Sequence, residues 1–593
     1  MTINPSLGCR VPRWTAPCVS SLLAASFALA AAAPAFAGNA GAFLRAYPLA
    51  VPTKQYQIIE TTSPLPAPEG YSLSNTAAPG EFEPATFVLR ASEALSGINI
   101  QASPLTGPGT IPSGNVDVRL VKTWYQSSTG NCSCDVGKFL IPEVLLKDDA
   151  LIKTDMVAQK SYLRATVNGV QQYVDITTVG SMVPPGAVVK DSTILQPFSM
   201  AANTNKQVWV TVQVPPSAPA GAYTGTVSIS VPGKPDTTLS LSVNVLPFAL
   251  SPSLIEQGIY YRALLQNSCS TLTPECRTQA QMAADFANMR NHGVQYPTIY
   301  DRATAPNLPS RLSLMESAGM PKDKIYQAGD NLYVLGVSNQ SAIASVVTQW
   351  KTVASSHGWG QVYTYGMDEA TGTTFDSQLP AFDTIHANGG KVFNAIPDAT
   401  TALRAGMDKV DLPILYGYGM PTTTIAQVGQ THTKVGKYGD PFTDFDNPEY
   451  VRKHYGFSML YKDYDVAMNY VYQGVGQGVG DIWNDFKPVP TGERNMTWTL
   501  PTSDGVVDTL EWEGYREAVD DIRYASTLAA RKGWTKDQLV TYLRGLSTLA
   551  DNADSINAPA ARQTIINEIL ATPATGGTLP APTGLQVLQV TSP

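Results

Sequence analysis

The chain has 593 residues, 43% of them apolar and 15% charged, with a formal net charge of −8. That length allows two to four domains, and that apolar content excludes a disordered chain. A net acidic chain without a basic tract is a poor fit for nucleic-acid binding, and 47 glycines and 44 prolines suit an exported, loop-rich, β-containing protein better than a helical cytosolic one.

The N-terminus reads as a leader. Arg10 and Arg13 precede an Ala-rich apolar run, and Ala35-Phe36-Ala37 is a small-x-small cleavage site, which predicts a signal peptide over residues 1–37 and a mature chain from Gly38. The run is shorter than the ~20 residues a membrane anchor needs. Removing two basic and no acidic residues takes the net charge from −8 to −10. The expected location is periplasmic, cell-surface or extracellular in a bacterium, with no integral membrane segment after cleavage. Cys132, Cys134, Cys269 and Cys276 would remain, an even number. The expected pairs are Cys269–Cys276, closing a small loop, and Cys132 with Cys134. The five histidines are scattered singly, so no metal and no other cofactor is expected.

Residues 38–248 read as an antiparallel β-sandwich. Short β-branched and aromatic runs such as Phe87-Val-Leu-Arg90, Val208-Trp-Val-Thr-Val212 and Thr224-Gly-Thr-Val-Ser-Ile-Ser-Val231 are separated by turn clusters, and the last two alternate as half-buried strands do. The character changes at the proline-flanked linker Leu246-Pro-Phe-Ala-Leu-Ser-Pro252. Strands are then expected at 257–261, 295–300, 324–326, 361–365, 391–395, 412–416, 434–438 and 466–472. Amphipathic segments lie between them, with Met282, Phe286 and Met289 on one face of 278–291 and Ile343, Val346, Val347 and Trp350 on one face of 341–357. Eightfold alternation implies a (β/α)8 TIM-type barrel over 249–535. Residues 473–503 read as an irregular loop able to overhang the barrel mouth. Helices follow at about 512–531, 536–551 and 558–571, the last two forming a C-terminal helical segment (536–572), before a Pro/Thr/Gly-rich tail (573–593).

Several separated stretches, in order, resemble glycoside hydrolase family 123. They are Gly80-Glu-Phe-Glu-Pro-Ala-Thr-Phe87, Val121-Lys-Thr-Trp-Tyr125, Ile141-Pro-Glu-Val-Leu-Leu-Lys-Asp-Asp149 and Pro219-Ala-Gly-Ala-Tyr-Thr-Gly-Thr226 in the sandwich. In the barrel half they are Tyr365-Gly-Met-Asp-Glu-Ala370, Asn447-Pro-Glu-Tyr-Val-Arg-Lys-His-Tyr-Gly456 and the run from Asp504 to Tyr524. One stretch departs from the family pattern: in Leu460-Tyr-Lys-Asp-Tyr-Asp-Val-Ala467, Tyr461 stands where relatives have tryptophan and Val466 where they have glycine, so the mouth near strand eight is expected to differ.

The chemistry centres on Asp368 and Glu369, placed just after the fourth predicted strand, where barrel enzymes carry catalytic groups. Taken alone, an Asp-Glu pair is more often a helix start or a solvated turn. Most retaining glycosidases use two carboxyls ~5 Å apart, a geometry adjacent residues seldom meet, but adjacency suits the substrate-assisted variant in which a 2-acetamido group is the nucleophile. The resemblance implies that Glu369 is the general acid and then the base, and that Asp368 orients the acetamido group. The charge of Asp368 would raise the pKa of Glu369. Tyr260, Tyr300, Tyr416, Tyr418, Tyr438, Tyr470 and Tyr472 cluster at predicted strand ends, either as sugar platforms or as core. Arg262, Asn394 and Asp465 are candidate sugar-binding groups, Trp483 a candidate loop platform, and Arg452 more a structural than a binding residue. The expected partner is an oligosaccharide, polysaccharide or glycoconjugate; a β-linked N-acetylgalactosaminide is the first candidate. Alternatives are a glycosidase of other sugar specificity on the same scaffold, or a non-catalytic carbohydrate-binding surface protein, which would have no need to keep the acid pair.

Overall fold

The computed structural model describes residues 43–130, 136–269, 273–443, 446–475, 481–487, 494–546 and 556–572. The predicted leader, Cys132, Cys134 and the tail lie outside the described residues.

The N-terminal half is a β-sandwich. One sheet runs, in spatial order, Leu44–Leu49, Phe82–Ala91, Asn205–Gln213, Val116–Gln126, Phe139–Leu146, Val506–Thr509 and Thr499–Pro501. The second runs Phe198–Met200, Leu95–Ala102, Gly221–Ser230, Thr237–Val245 and Ser72–Ala77. Alternation decides which side chains enter the core: in Thr237–Val245 every second residue is buried, so Leu239, Leu241 and Val243 meet Phe87, Leu89, Val208 and Val210 of the opposite sheet. Each such side chain contributes about 1.5–3 kcal/mol on burial. Pairing is antiparallel apart from Ser72–Ala77, which runs parallel to Thr237–Val245. A small antiparallel sheet, Ile152–Asp155, Lys160–Val167 and Val170–Asp175, rests on a core of its own with Trp124 and Val144.

All eight predicted barrel strands are present and parallel. In chain order they are Glu256–Ile259, Tyr296–Pro297, Lys324–Gln327, Gln361–Tyr365, Lys391–Ile396, Leu412–Tyr416, Gly436–Tyr438 and Val466–Asn469, referred to below as the first to eighth strands. The eighth pairs with the first, and a parallel bridge between Ile299 and Gln327 joins the second to the third, closing the barrel. Its interior is aromatic, with Tyr260, Tyr326, Tyr365, Phe393 and Tyr438 in one cluster. Outside lie helices such as Gln279–Asn291, capped by Thr278, and Gln340–Ser356, whose Ile343, Val347 and Trp350 are buried as their spacing predicts.

The segment after strand eight differs from the expectation. Its described residues are paired: Gln473–Gly474 with Met496–Thr497, and Thr499–Pro501 with Val506–Thr509 in a hairpin around Asp504-Gly505 that extends the sandwich sheet through Asp508–Leu145 and Thr509–Val144, while residues 476–480 and 488–493 lie outside the described residues. Helix Leu510–Lys532 follows, with most of its residues buried. It fills the space between sandwich and barrel, so it needs no solvent face.

Polar contacts across this junction explain the charged residues in two of the family-like stretches. Arg452 makes a two-pronged bond to Asp521 at 2.8 and 2.9 Å, and Arg562, from helix Ala558–Ala571, reaches Asp521 at 2.5 Å, Glu517 at 3.0 Å and Glu83 at 3.4 Å. The Tyr524 hydroxyl donates to Glu81 at 2.7 Å. Arg452 is thus part of the junction between domains. Removing one partner of such a buried pair costs about 3–5 kcal/mol.

Candidate active site

The fourth strand sets the site. Its β-branched and aromatic residues hold an extended run as far as Tyr365, and Gly366 ends it. A Cβ on Gly366 would lie 2.6 Å from Asn394 Oδ1 and 2.9 Å from Gln378 Oε1, so only glycine lets the chain turn there. Gln378 also accepts from the Met367 amide at 2.6 Å. The backbone then swings Asp368 and Glu369 out at the barrel's C-terminal face, both exposed, with Glu369 at φ 48°, a left-handed conformation uncommon outside glycine.

Each carboxylate is held by a tyrosine. The Tyr365 hydroxyl donates to Asp368 Oδ1 at 2.5 Å, and the Tyr260 hydroxyl donates to that of Tyr365 at 3.1 Å, a chain that starts beneath the first strand's end and finishes on Asp368. The Tyr438 hydroxyl, at the end of the seventh strand, donates to Glu369 Oε1. Surrounding protein displaces water from the Glu369 carboxyl and raises its pKa above the usual carboxylate range; the Tyr438 hydrogen bond opposes that rise and the Asp368 charge adds to it. Tyr438 itself is pushed up, by burial first and then by Glu369, so it stays a donor at neutral pH.

Two aromatic walls flank the pair. On one side Tyr416 stacks on Phe442 at 5.7 Å and lies 5.3 Å from Tyr438, while Tyr418 stands 71% exposed beyond it. On the other, Tyr470 lies 5.6 Å from Tyr260, and Arg262 donates to the Tyr470 hydroxyl at 2.8 Å and lies over the Tyr300 ring at 5.9 Å. The arrangement offers a proton donor, a neighbouring anion and aromatic rings for a polar, disc-shaped ligand.

The structure therefore brings Asp368, Glu369, Arg262, Tyr300, Tyr416, Tyr438 and Tyr470 to one end of the barrel. Three of the candidate sugar-binding residues are corrected: Asn394, Asp465 and Trp483. Asn394 lies between Phe393 and Ala395, which face the barrel interior, so it faces the helix layer and wedges against Gly366, fully buried. Asp465 precedes the eighth strand and so sits at the opposite end of the barrel, where it accepts from the Val435 amide and pairs with Lys536. Trp483 is 1% exposed, packed edge-on against Trp124 with its indole N–H on the Pro501 carbonyl, and belongs to a sandwich-side core. Tyr472 takes the core reading of the two open to it, buried against Tyr261 and Trp512 outside the barrel. Tyr461 is buried in the outer core under Arg544, and Val466 begins the eighth strand at the end away from the mouth, so the departure from the family pattern does not reshape the mouth directly.

Tyr365 was absent from the predicted site residues, although it stands three residues before Asp368 on a strand end, a signal open to reading. Gln378 and Phe442 carry no sequence signal: only the fold brings them near. Cys269 and Cys276 are joined by a disulfide, as predicted. No helix among the described residues is long and apolar enough to cross a membrane.

Comparison with known proteins now bears on the site. Residues 61–231 match the family model described as glycoside hydrolase 123 N-terminal domain. No curated protein matches the chain. Among solved structures, a family 123 glycoside hydrolase from Clostridium perfringens, described in terms of glycolipid glycan hydrolysis, superposes with a TM-score of 0.59 at 12% identity, covering 89% of this chain and 98% of its own. A GH5 xyloglucanase from Bacteroides ovatus (TM-score 0.26, 9% identity, 76% of this chain and 100% of its own) and a GH2 beta-galacturonidase from Eisenbergiella tayi (TM-score 0.31, 8% identity, 82% and 97%) are too distant in shape to inform the argument. Residues 61–231 thus match a glycoside hydrolase 123 N-terminal domain, and 89% of the chain shares the sandwich-and-barrel fold of a family 123 glycoside hydrolase.

Proposed function

We propose that the protein is an exported glycoside hydrolase that removes a β-linked 2-acetamido sugar, N-acetylgalactosamine first among the candidates, with retention of configuration and with the substrate's own acetamido group as nucleophile. One observation carries this reading: two adjacent carboxylates at the end of the fourth barrel strand are each fixed by a tyrosine, and one of them has a raised pKa.

The roles follow from chemistry. Glu369, its protonated form favoured by burial, gives its proton to the glycosidic oxygen as the C1–O bond breaks. The acetamido carbonyl oxygen closes on C1, and the positive charge spreads into an oxazolinium ring. Asp368, oriented by Tyr365, accepts the acetamido N–H and sets its carboxylate against that charge. Water then attacks C1, Glu369 takes its proton, and the acetamido group is released unchanged. Tyr416 and Phe442 on one side and Tyr300 and Tyr470 on the other cover the sugar faces, and Arg262 is a hydrogen-bond donor to its hydroxyls. The glycan of a glycolipid, the substrate class named for the C. perfringens enzyme, is a candidate aglycone context here too.

The test is hydrolysis of an aryl β-N-acetylgalactosaminide, with inhibition by a thiazoline mimic of the oxazolinium. Turnover with tight thiazoline inhibition is the expected result. Turnover of a 2-hydroxy glycoside instead, unaffected by thiazoline, would replace this mechanism with a two-carboxylate one on the same scaffold.

A further inference from the structure

Three carboxylates from distant segments converge where the sandwich meets the barrel. Glu143 comes from strand Phe139–Leu146, Asp446 from the segment after the seventh barrel strand, and Glu511 from the first turn of helix Leu510–Lys532. One oxygen from each lies within 4.8 Å of the others, and the three residues are only 3%, 5% and 3% exposed. Oxygens that share one calcium-sized ion at about 2.4 Å can be at most about 4.8 Å apart, so the three are close enough to reach one such ion. Buried Asp485 joins the group through Arg494, whose guanidinium lies 3.0 Å from Glu143, 3.3 Å from Asp485 and also against Asp446. One guanidinium against these four carboxylates leaves three negative charges in excess when all are ionised.

Glu511 is the group that points to a ligand. Glu143 accepts from the Trp124 indole at 2.7 Å and from Arg494, and Asp446 is paired with Arg494. Glu511 Oε2 is fully buried, has no hydrogen-bond partner, and belongs to the carboxylate that closes on the other two. A small cavity lined by Lys54, Gln55, Gln57 and Gln207 reaches Asp446 and Glu511, with Gln55 and Gln57 exposed at its rim.

We propose that Glu143, Asp446 and Glu511 bind a hard divalent cation of calcium's size at the junction of sandwich and barrel. An all-carboxylate oxygen set selects Ca²⁺ over softer metals. The ion lowers the excess charge from three to one. It ties a sandwich strand and the inter-domain helix to the segment that follows Tyr438 and Phe442, and so steadies one wall of the mouth. Sequence spacing cannot display such a site, because no two of its ligands are near one another in the chain. The proposal stands independently of the glycosidase reading.

The test uses the full chain, stripped with chelator and titrated with Tb³⁺ as a luminescent stand-in for Ca²⁺. Trp124, bonded to Glu143, is the built-in donor for sensitised emission. The expected result is one saturable site per chain, reversed by excess Ca²⁺, with affinity at least about tenfold weaker in Glu511→Gln and a Ca²⁺-dependent rise in the wild-type Tm that this variant loses. If Glu511→Gln does not fold, Asp446→Asn reads out the same loss. Absence of both sensitised emission and a Tm shift in the wild type at millimolar Ca²⁺ overturns the proposal. So does emission unchanged by Glu511→Gln, which would place the ion elsewhere.

Discussion

The Tyr438 hydroxyl offers a sharp test of how the Glu369 acid is tuned. Tyr438→Phe removes one donor to the carboxylate and little else, since the ring keeps its place beside Tyr416 and Phe442. A hydrogen bond to a charged group contributes about 1.5–3 kcal/mol and one to a neutral group about 0.5–1.5 kcal/mol. The difference, near 1.4 kcal/mol, is about one pKa unit. Glu369 is exposed at the mouth, so solvent screens the contact and leaves roughly half to one unit. The bond stabilises the ionised form, so losing it raises the pKa, and the protonated, active acid persists to higher pH. The alkaline limb of the kcat/KM profile should therefore move up by roughly half to one pH unit. An unmoved limb, or one displaced toward acid, would refute either the role of Glu369 as the acid or the role of Tyr438 as its donor.

Asp368→Asn should move the same limb the other way, because it removes a charge that raises the Glu369 pKa, and should lower kcat on 2-acetamido substrates by about a hundredfold or more; an alkaline shift would contradict the assignment. Gly366→Ala forces a Cβ against Asn394 and Gln378, costs about 1–3 kcal/mol by thermal melting, and should lower kcat by displacing the acid pair; full activity at unchanged Tm would show that the turn tolerates a side chain. Trp483→Ala should destabilise the chain by about 3–5 kcal/mol and leave KM unchanged in whatever folds, whereas a raised KM at unchanged Tm would return Trp483 to the sugar site.

Much of this architecture was legible because period and punctuation agreed. The strand over 361–365 was bounded as found by its β-branched run and Gly366, and even 324–326, only three residues long, was present as Lys324–Gln327. Once the eightfold alternation was read, the position of Asp368 and Glu369 at a catalytic face followed. What sequence could not show was direction and partner. Asn394 lies on the right strand, but a one-residue difference in parity turns it outward. Trp483 sits on an irregular segment, which usually argues for the surface, yet that segment folds back as part of the sandwich's edge and buries it. Asp465 belongs to a family-like run but lies before its strand, at the wrong end of the barrel. Tyr365 is the converse case, a strand residue that reads as core and is buried, yet delivers its hydroxyl to Asp368.

The central claim is that Glu369 moves the proton in cleavage of a 2-acetamido glycoside. Its most direct measurement is hydrolysis of an aryl β-N-acetylgalactosaminide by wild type and Glu369→Gln, with the product anomer followed by NMR. The account predicts release of the β-anomer first by the wild type, and loss of about 10²–10⁴-fold in the variant. Release of the α-anomer, or full activity in Glu369→Gln, would contradict it.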